Sequence, residues 1–221
     1  MKGSRLGPAL ALALLAGSAH AEPDVSAVGR VNNSVGGHCT GTLVAPRVAV
    51  TAAHCLYNRR TGRWLRPEAI HFVVGYDRGD FTFHAVAGQY RTGEGYDATR
   101  PLETLASDWA VLVLAETAPE TIMPMRVDGT AWDSARRLRP AGFAKARPHV
   151  LTVALTCNGQ AAPPFIVSDC TVPEGFSGGP LMDAASGHLT GISVATSTTR
   201  SLAIPAKTFE AAIAAAASVR P

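Results

Sequence analysis

The sequence predicts an all-β fold, either a barrel or a sandwich, built from short strands. Apolar and β-branched runs recur between clusters of Gly, Pro, Asn and Asp, the pattern of brief strands joined by turns. Only one segment, near the C-terminal end, reads as a helix. The 221 residues are 47% hydrophobic and 17% charged, a globular composition that excludes a disordered or collagen-like chain.

The N-terminus stands apart. Lys2 and Arg5 precede the apolar run Ala9–Ala16, and Ala19-His20-Ala21 follows. A basic start, a short apolar stretch and small residues at a cleavage point read as a secretory signal peptide over residues 1–21, cut after Ala21. The run is too short to span a membrane, which needs about 18 or more apolar residues. A secreted or periplasmic product with no membrane partner after cleavage is therefore expected. Removing Lys2 and Arg5 takes the formal net charge from +3 to +1. The remaining basic residues are scattered, apart from Arg136-Arg137-Leu138-Arg139, read as a solvated loop. Nucleic-acid binders concentrate positive charge on one face, so no nucleic-acid partner is expected.

Along the mature region (22–221), the predicted strands are Cys39–Val44, Val48–Thr51, Ile70–Val74, Phe81–Val86, Trp109–Leu114, Val150–Thr156, Leu189–Ala195 and Ser201–Ile204. Glu116–Pro124, with Pro119 and Pro124, is the candidate link between a first half (about 28–115) and a second (about 125–204). A helix is predicted from Ala206 to about Val219. Its Ala-rich composition favours helix, and Phe209 and Ile213 can touch at i, i+4. Arg78-Gly79-Asp80 reads as a hairpin turn and not as an adhesion motif. Asn32-Asn33-Ser34 fits a glycosylation sequon.

Four cysteines follow the signal, at Cys39, Cys55, Cys157 and Cys170. An even count in an exported chain suggests disulfides, with three connectivities open. The local pairings Cys39–Cys55 and Cys157–Cys170 are favoured, since each closes a short loop that the chain-entropy model values at about 3 kcal/mol. No CxxC pair is present, and His38, His71, His84, His149 and His188 lack ligand spacing. No metal and no other cofactor is expected.

Three segments carry chemistry: Thr51-Ala52-Ala53-His54-Cys55 after an apolar strand, Ser107-Asp108 opening the run Trp109–Leu114, and Gly175-Phe176-Ser177-Gly178-Gly179-Pro180. A serine hydroxyl is a weak nucleophile that needs an adjacent base, and histidine titrates in the right range. A buried carboxylate fixes the imidazole tautomer. Glycines beside the serine permit an unusual backbone path that can aim N–H groups at a developing oxyanion.

Together these segments resemble the three signature segments of trypsin-like (chymotrypsin-family) serine peptidases, and the likeness spans nearly all of the mature chain. The resemblance implies two six-stranded antiparallel β-barrels with a C-terminal α-helix. It implies His54 as general base, Asp108 as its orienter and Ser177 as nucleophile. The N–H groups of Gly175 and Ser177 would form the oxyanion hole, and Cys39–Cys55 would match the family's disulfide beside the histidine. Cys170 lies farther before Ser177 than its family counterpart does. Expected, then, is a monomeric serine endopeptidase acting on proteins or peptides. The alternative is an inactive, protease-like secreted binding protein.

Two departures bear on the site. Animal members usually carry Asp before the nucleophile, pairing with a new N-terminus after activation; this chain has Phe176 there, and several bacterial branches also lack that Asp. In composition and compactness it looks closer to compact bacterial members such as glutamyl endopeptidase-like proteases. Val194 stands where many members place a serine that supports the triad aspartate. For specificity, Thr171 occupies the position where a Lys/Arg preference would require Asp. With Ser193, Val194, Ala195 and Thr196 it is expected to line a pocket for a small or medium uncharged side chain.

Overall fold

In the computed structural model, which describes residues 24–131 and 135–219, the apolar runs close two β-barrels, one after the other along the chain. The first uses β1 (Val28–Asn33), β2 (His38–Ala45) and β3 (Val48–Thr51). A small hairpin of β4 (Tyr57–Asn58) and β5 (Arg63–Trp64) interrupts it, and β6 (Ile70–Val74), β7 (Phe83–Thr92) and β8 (Ala110–Leu114) complete it. The order is β1-β2-β3-β8-β7-β6, with β6 pairing back onto β1. The second barrel runs through β9 (Arg136–Gly142), β10 (Thr152–Val153), β11 (Cys157–Ala162), β12 (Phe165–Ser168), β13 (Pro180–Asp183), β14 (Leu189–Thr196) and β15 (Ser201–Pro205). Six of these form the ring β9-β11-β12-β15-β14-β13, closed by β13 on β9, while β10 adds to the far end of β9. All ladder pairings are antiparallel, as the predicted fold class requires.

The strands β3 and β8 are buried along their whole length. One reason is α1 (Ala206–Ala217), which packs on β3, β8 and β14. Phe209, Ala212, Ile213 and Ala216 make its inward stripe, the i, i+3, i+4, i+7 spacing of an amphipathic helix. Phe209 is fully buried against Trp109, ring centroids 6.1 Å apart, worth about 1.5–3 kcal/mol relative to exposure. The helix ends at Ala217, short of the expected Val219.

Several sequence expectations need correction. The basic cluster Arg136–Arg139 is not a loop but the start of β9: Leu138 points into the core while its neighbours are more exposed. One inward leucine among three arginines gives a strand pattern that charge conceals. Val150–Thr156 shrinks to the two residues of β10. Phe81 lies outside β7, which starts at Phe83 and runs on to Thr92. Asp77 and Asp80 exchange backbone hydrogen bonds at 2.9 Å, with Arg78 and Gly79 at positive φ, so Arg78–Asp80 is a hairpin turn. Both local disulfides are present, Cys39–Cys55 and Cys157–Cys170. Between β8 and β9 the chain runs along the first barrel, where the N–H groups of Ala118 and Met125 donate to the carbonyls of Pro46 and Leu43. The expected signal peptide lies outside the described residues.

Candidate active site

His54 sits on a short 3-10 turn, Ala53–Leu56, directly after β3. The Cys39–Cys55 disulfide ties that turn to β2. Asp108 closes another 3-10 turn, Leu105–Ser107, just before β8. Pairing of Thr51 with Ala110 brings the end of β3 beside the start of β8. The two side chains meet there. The His54 backbone N–H donates to Asp108 Oδ1 at 2.8 Å, and Nδ1 lies 2.6 Å from Oδ2. An ionised carboxylate only accepts, so against one Nδ1 is the donor, and in the neutral ring Nε2 then keeps a lone pair. Asp108 is 1% exposed, and the half-buried Tyr96 hydroxyl lies beside it. Burial first, then the Asp108 charge, pushes the Tyr96 pKa well above the ordinary phenol range.

Ser177 follows a loop whose path glycine alone permits. Gly175 has φ +98°, and a Cβ there would collide with the Phe143 carbonyl oxygen. Gly178 has φ +76°, and a Cβ would strike Thr51 and the Thr40 carbonyl. Among the described residues, neither the Gly175 nor the Ser177 N–H has an intramolecular acceptor. Both can therefore meet an external oxygen. Phe176 is fully buried in the second barrel's core with Leu138, Val172 and Leu181.

Thr40 on β2 joins the barrels at this loop, a role the sequence reading missed. Its N–H donates to Ser177 O at 2.9 Å, its Oγ1 donates to Gly175 O at 2.8 Å and accepts from Phe143 N–H at 2.9 Å. Thr40→Val keeps the shape but strips two buried backbone groups of their partner. We expect a loss of about 1–3 kcal/mol in stability and slower reaction at Ser177. Denaturant melts and single-turnover rates check this, and unchanged values in both would rule the tether out.

An open cleft of about 570 Å³ lies between the barrels, lined by both His54 and Ser177. Ser193, Val194, Ala195 and Thr196 line it. Thr171 does not join them: it is exposed, and Val172 lines the cleft instead. Cys170 and Val172 point inward along this extended segment, so the residue between them must point out. His38, Arg59, Arg60 and Lys145 also line the cleft. His38 Nε2–H donates to Phe143 O at 3.1 Å. Burial, and then the Arg30 guanidinium, lowers its pKa and keeps it neutral. The stability tied to a neutral His38 is present above the ordinary imidazole range and is lost as pH falls through it.

The sulfurs of Cys39 and Cys55 lie within 4.8 Å of a His54 nitrogen. They are bonded to each other and present no thiolate to a metal.

A family model described as "Trypsin-like peptidase domain" matches residues 39–192. No curated protein matches the sequence. Among solved structures, a Glu endopeptidase superposes with TM-score 0.71 at 17% identity, covering 86% of this chain and 91% of that one. Human heparin binding protein gives 0.70 at 18%, covering 89% and 93%. A scabies mite inactivated protease paralogue gives 0.71 at 14%, covering 89% and 94%. At such identities the likeness is one of fold.

Proposed function

The chain belongs to the trypsin-like peptidase family, and from that membership we propose that it is an exported serine endopeptidase. His54, Asp108 and Ser177 act as one unit. One observation carries the reading: buried Asp108 holds His54 by backbone and ring together, in the cleft that Ser177 also lines. His54 Nε2 takes the Ser177 proton as Oγ attacks the peptide carbonyl. The oxyanion that forms is met by the Gly175 and Ser177 N–H groups. His54 then gives the proton to the leaving amine, and water repeats the sequence on the acyl-enzyme. Asp108 stays ionised and balances the imidazolium.

The second reading, an inactive binding protein, is favoured by the company the fold keeps, which includes an inactivated paralogue and a heparin binding protein. Against it stand the retained His54–Asp108 pair and the glycines that shape the Ser177 loop.

A fluorogenic peptide library tests the enzyme reading and its pocket. The wall Val172, Ser193, Val194 and Ala195 carries no charge, and the nearby carboxylate of Glu174 is paired with Lys145 at 2.9 Å. The library should show Ser177-dependent cleavage after small or medium uncharged residues, with little preference for Lys or Arg. A dominant Arg preference would mean Glu174 leaves Lys145 for the pocket.

A further inference from the structure

The cleft is electrostatically lopsided beyond His54. The hairpin of β4 and β5 follows the histidine turn and carries Arg59, Arg60 and Arg63 with no acidic residue. Arg59 and Arg60 line the cleft, are exposed, and among the described residues have no ion-pair partner. Among the described residues, the only carboxylate in the cleft lining is Glu174, already bound to Lys145. The two guanidiniums thus face the cleft with their charge uncompensated.

The turn that presents them is fixed. Asn58 Oδ1 accepts from the N–H groups of Arg60 and Thr61, and Asn58 O accepts from Gly62 N–H at 2.9 Å. Trp64 clamps the hairpin edge-on to Tyr57 and Tyr96, with centroids 5.4 and 6.0 Å apart. A preorganised turn loses little freedom when it meets a ligand.

We propose that Arg59 and Arg60 form an anion-selecting subsite for the part of the substrate that follows the scissile bond, favouring Asp and Glu there. The inference rests on the serine-peptidase reading for its direction: His54 must hand a proton to the leaving amine, so the departing chain passes the histidine. The disulfide and this hairpin adjoin the histidine turn directly and line the same cleft. Each exposed arginine–carboxylate pair is worth roughly two- to five-fold in affinity, and salt weakens it.

The test uses the full mature chain carrying Ser177→Ala, so that binding is read without turnover. Two labelled peptides, Ala-Ala-Pro-Val-Ser-Asp-Glu-Asp and Ala-Ala-Pro-Val-Ser-Lys-Arg-Lys, are titrated by anisotropy at about 20 mM and about 500 mM salt. The acidic peptide should bind about ten-fold more tightly at low salt. That margin should shrink below about two-fold at high salt, and likewise in Arg59→Gln/Arg60→Gln. Equal affinities, a tighter basic peptide, or no saturable binding of either would overturn the subsite. Fluorophosphonate labelling of the wild-type chain is scored separately. A chain that labels at Ser177 yet binds both peptides alike loses only the subsite, whereas one that fails to label loses the enzyme reading.

Discussion

Replacing His54 with alanine is expected to cut peptide hydrolysis by on the order of 10⁵–10⁶-fold, and Asp108→Asn by about 10⁴-fold. The histidine loss follows from its single role as carrier of the serine proton. The Asp108 effect comes from hydrogen-bond direction. Oδ1 accepts the His54 backbone N–H at 2.8 Å, so an asparagine there keeps its carbonyl toward that donor. Its amide then faces Nδ1, which must accept instead of donate. The ring proton moves to Nε2, and the base is lost while the fold is kept. Adding Ser177→Ala to His54→Ala should cost little more, since residues of one unit are not additive. Steady-state rates on one good substrate check all three, and a His54→Ala variant with near wild-type turnover would show the assignment to be wrong.

The second large effect concerns Phe176. The side chain is fully buried, and its ring fills the space over Gly142, where a Cβ would collide with it. Phe176→Ala should cost about 3–5 kcal/mol, a fall in Tm of about 6–20 °C for a chain of this size. Activity should fall as well, since Phe176 lies between the two N–H groups assigned to the oxyanion. This loop is held by packing and by Thr40, and Phe176 offers no charge to a new N-terminus. The Arg30-Val31 pair has the basic–apolar make-up of an activation cleavage site, yet Val31 lies mid-strand in β1, buried and paired with Cys39 and Phe72. Cutting there would remove half of a barrel strand. A chain starting at Glu22 should therefore be active, and one starting at Val31 less stable. Wild-type Tm in Phe176→Ala, or activity confined to the Val31 form, would contradict this account.

Much of the fold was legible because apolar residues dominate its central strands. Val48–Thr51 and Ile70–Val74 read as strands and are strands with those bounds. Two of the missed strands share a cause. Cys157–Ala162 holds Asn158, Gly159 and Gln160, and Arg136–Gly142 holds three arginines. Such strands have their pairing supplied by barrel closure and not by their own pattern. In the proposed site, short motifs pointed to His54, Asp108 and Ser177. Thr40 stayed hidden because its hydrogen bonds span 103 and 135 residues, a distance local pattern cannot bridge. Its place beside Cys39 was the one available hint. Thr171 was misjudged because a one-residue shift along an extended segment reverses which side chain points inward.

The account turns on whether Ser177 is an activated nucleophile. Incubating the mature chain with a fluorophosphonate probe, followed by peptide mapping, addresses that directly. The account predicts one stoichiometric adduct on Ser177, absent in Ser177→Ala and strongly slowed in His54→Ala and Asp108→Asn. A well-folded chain with both disulfides formed that takes up no probe, or labels equally after Ser177→Ala, would contradict it and favour the binding protein.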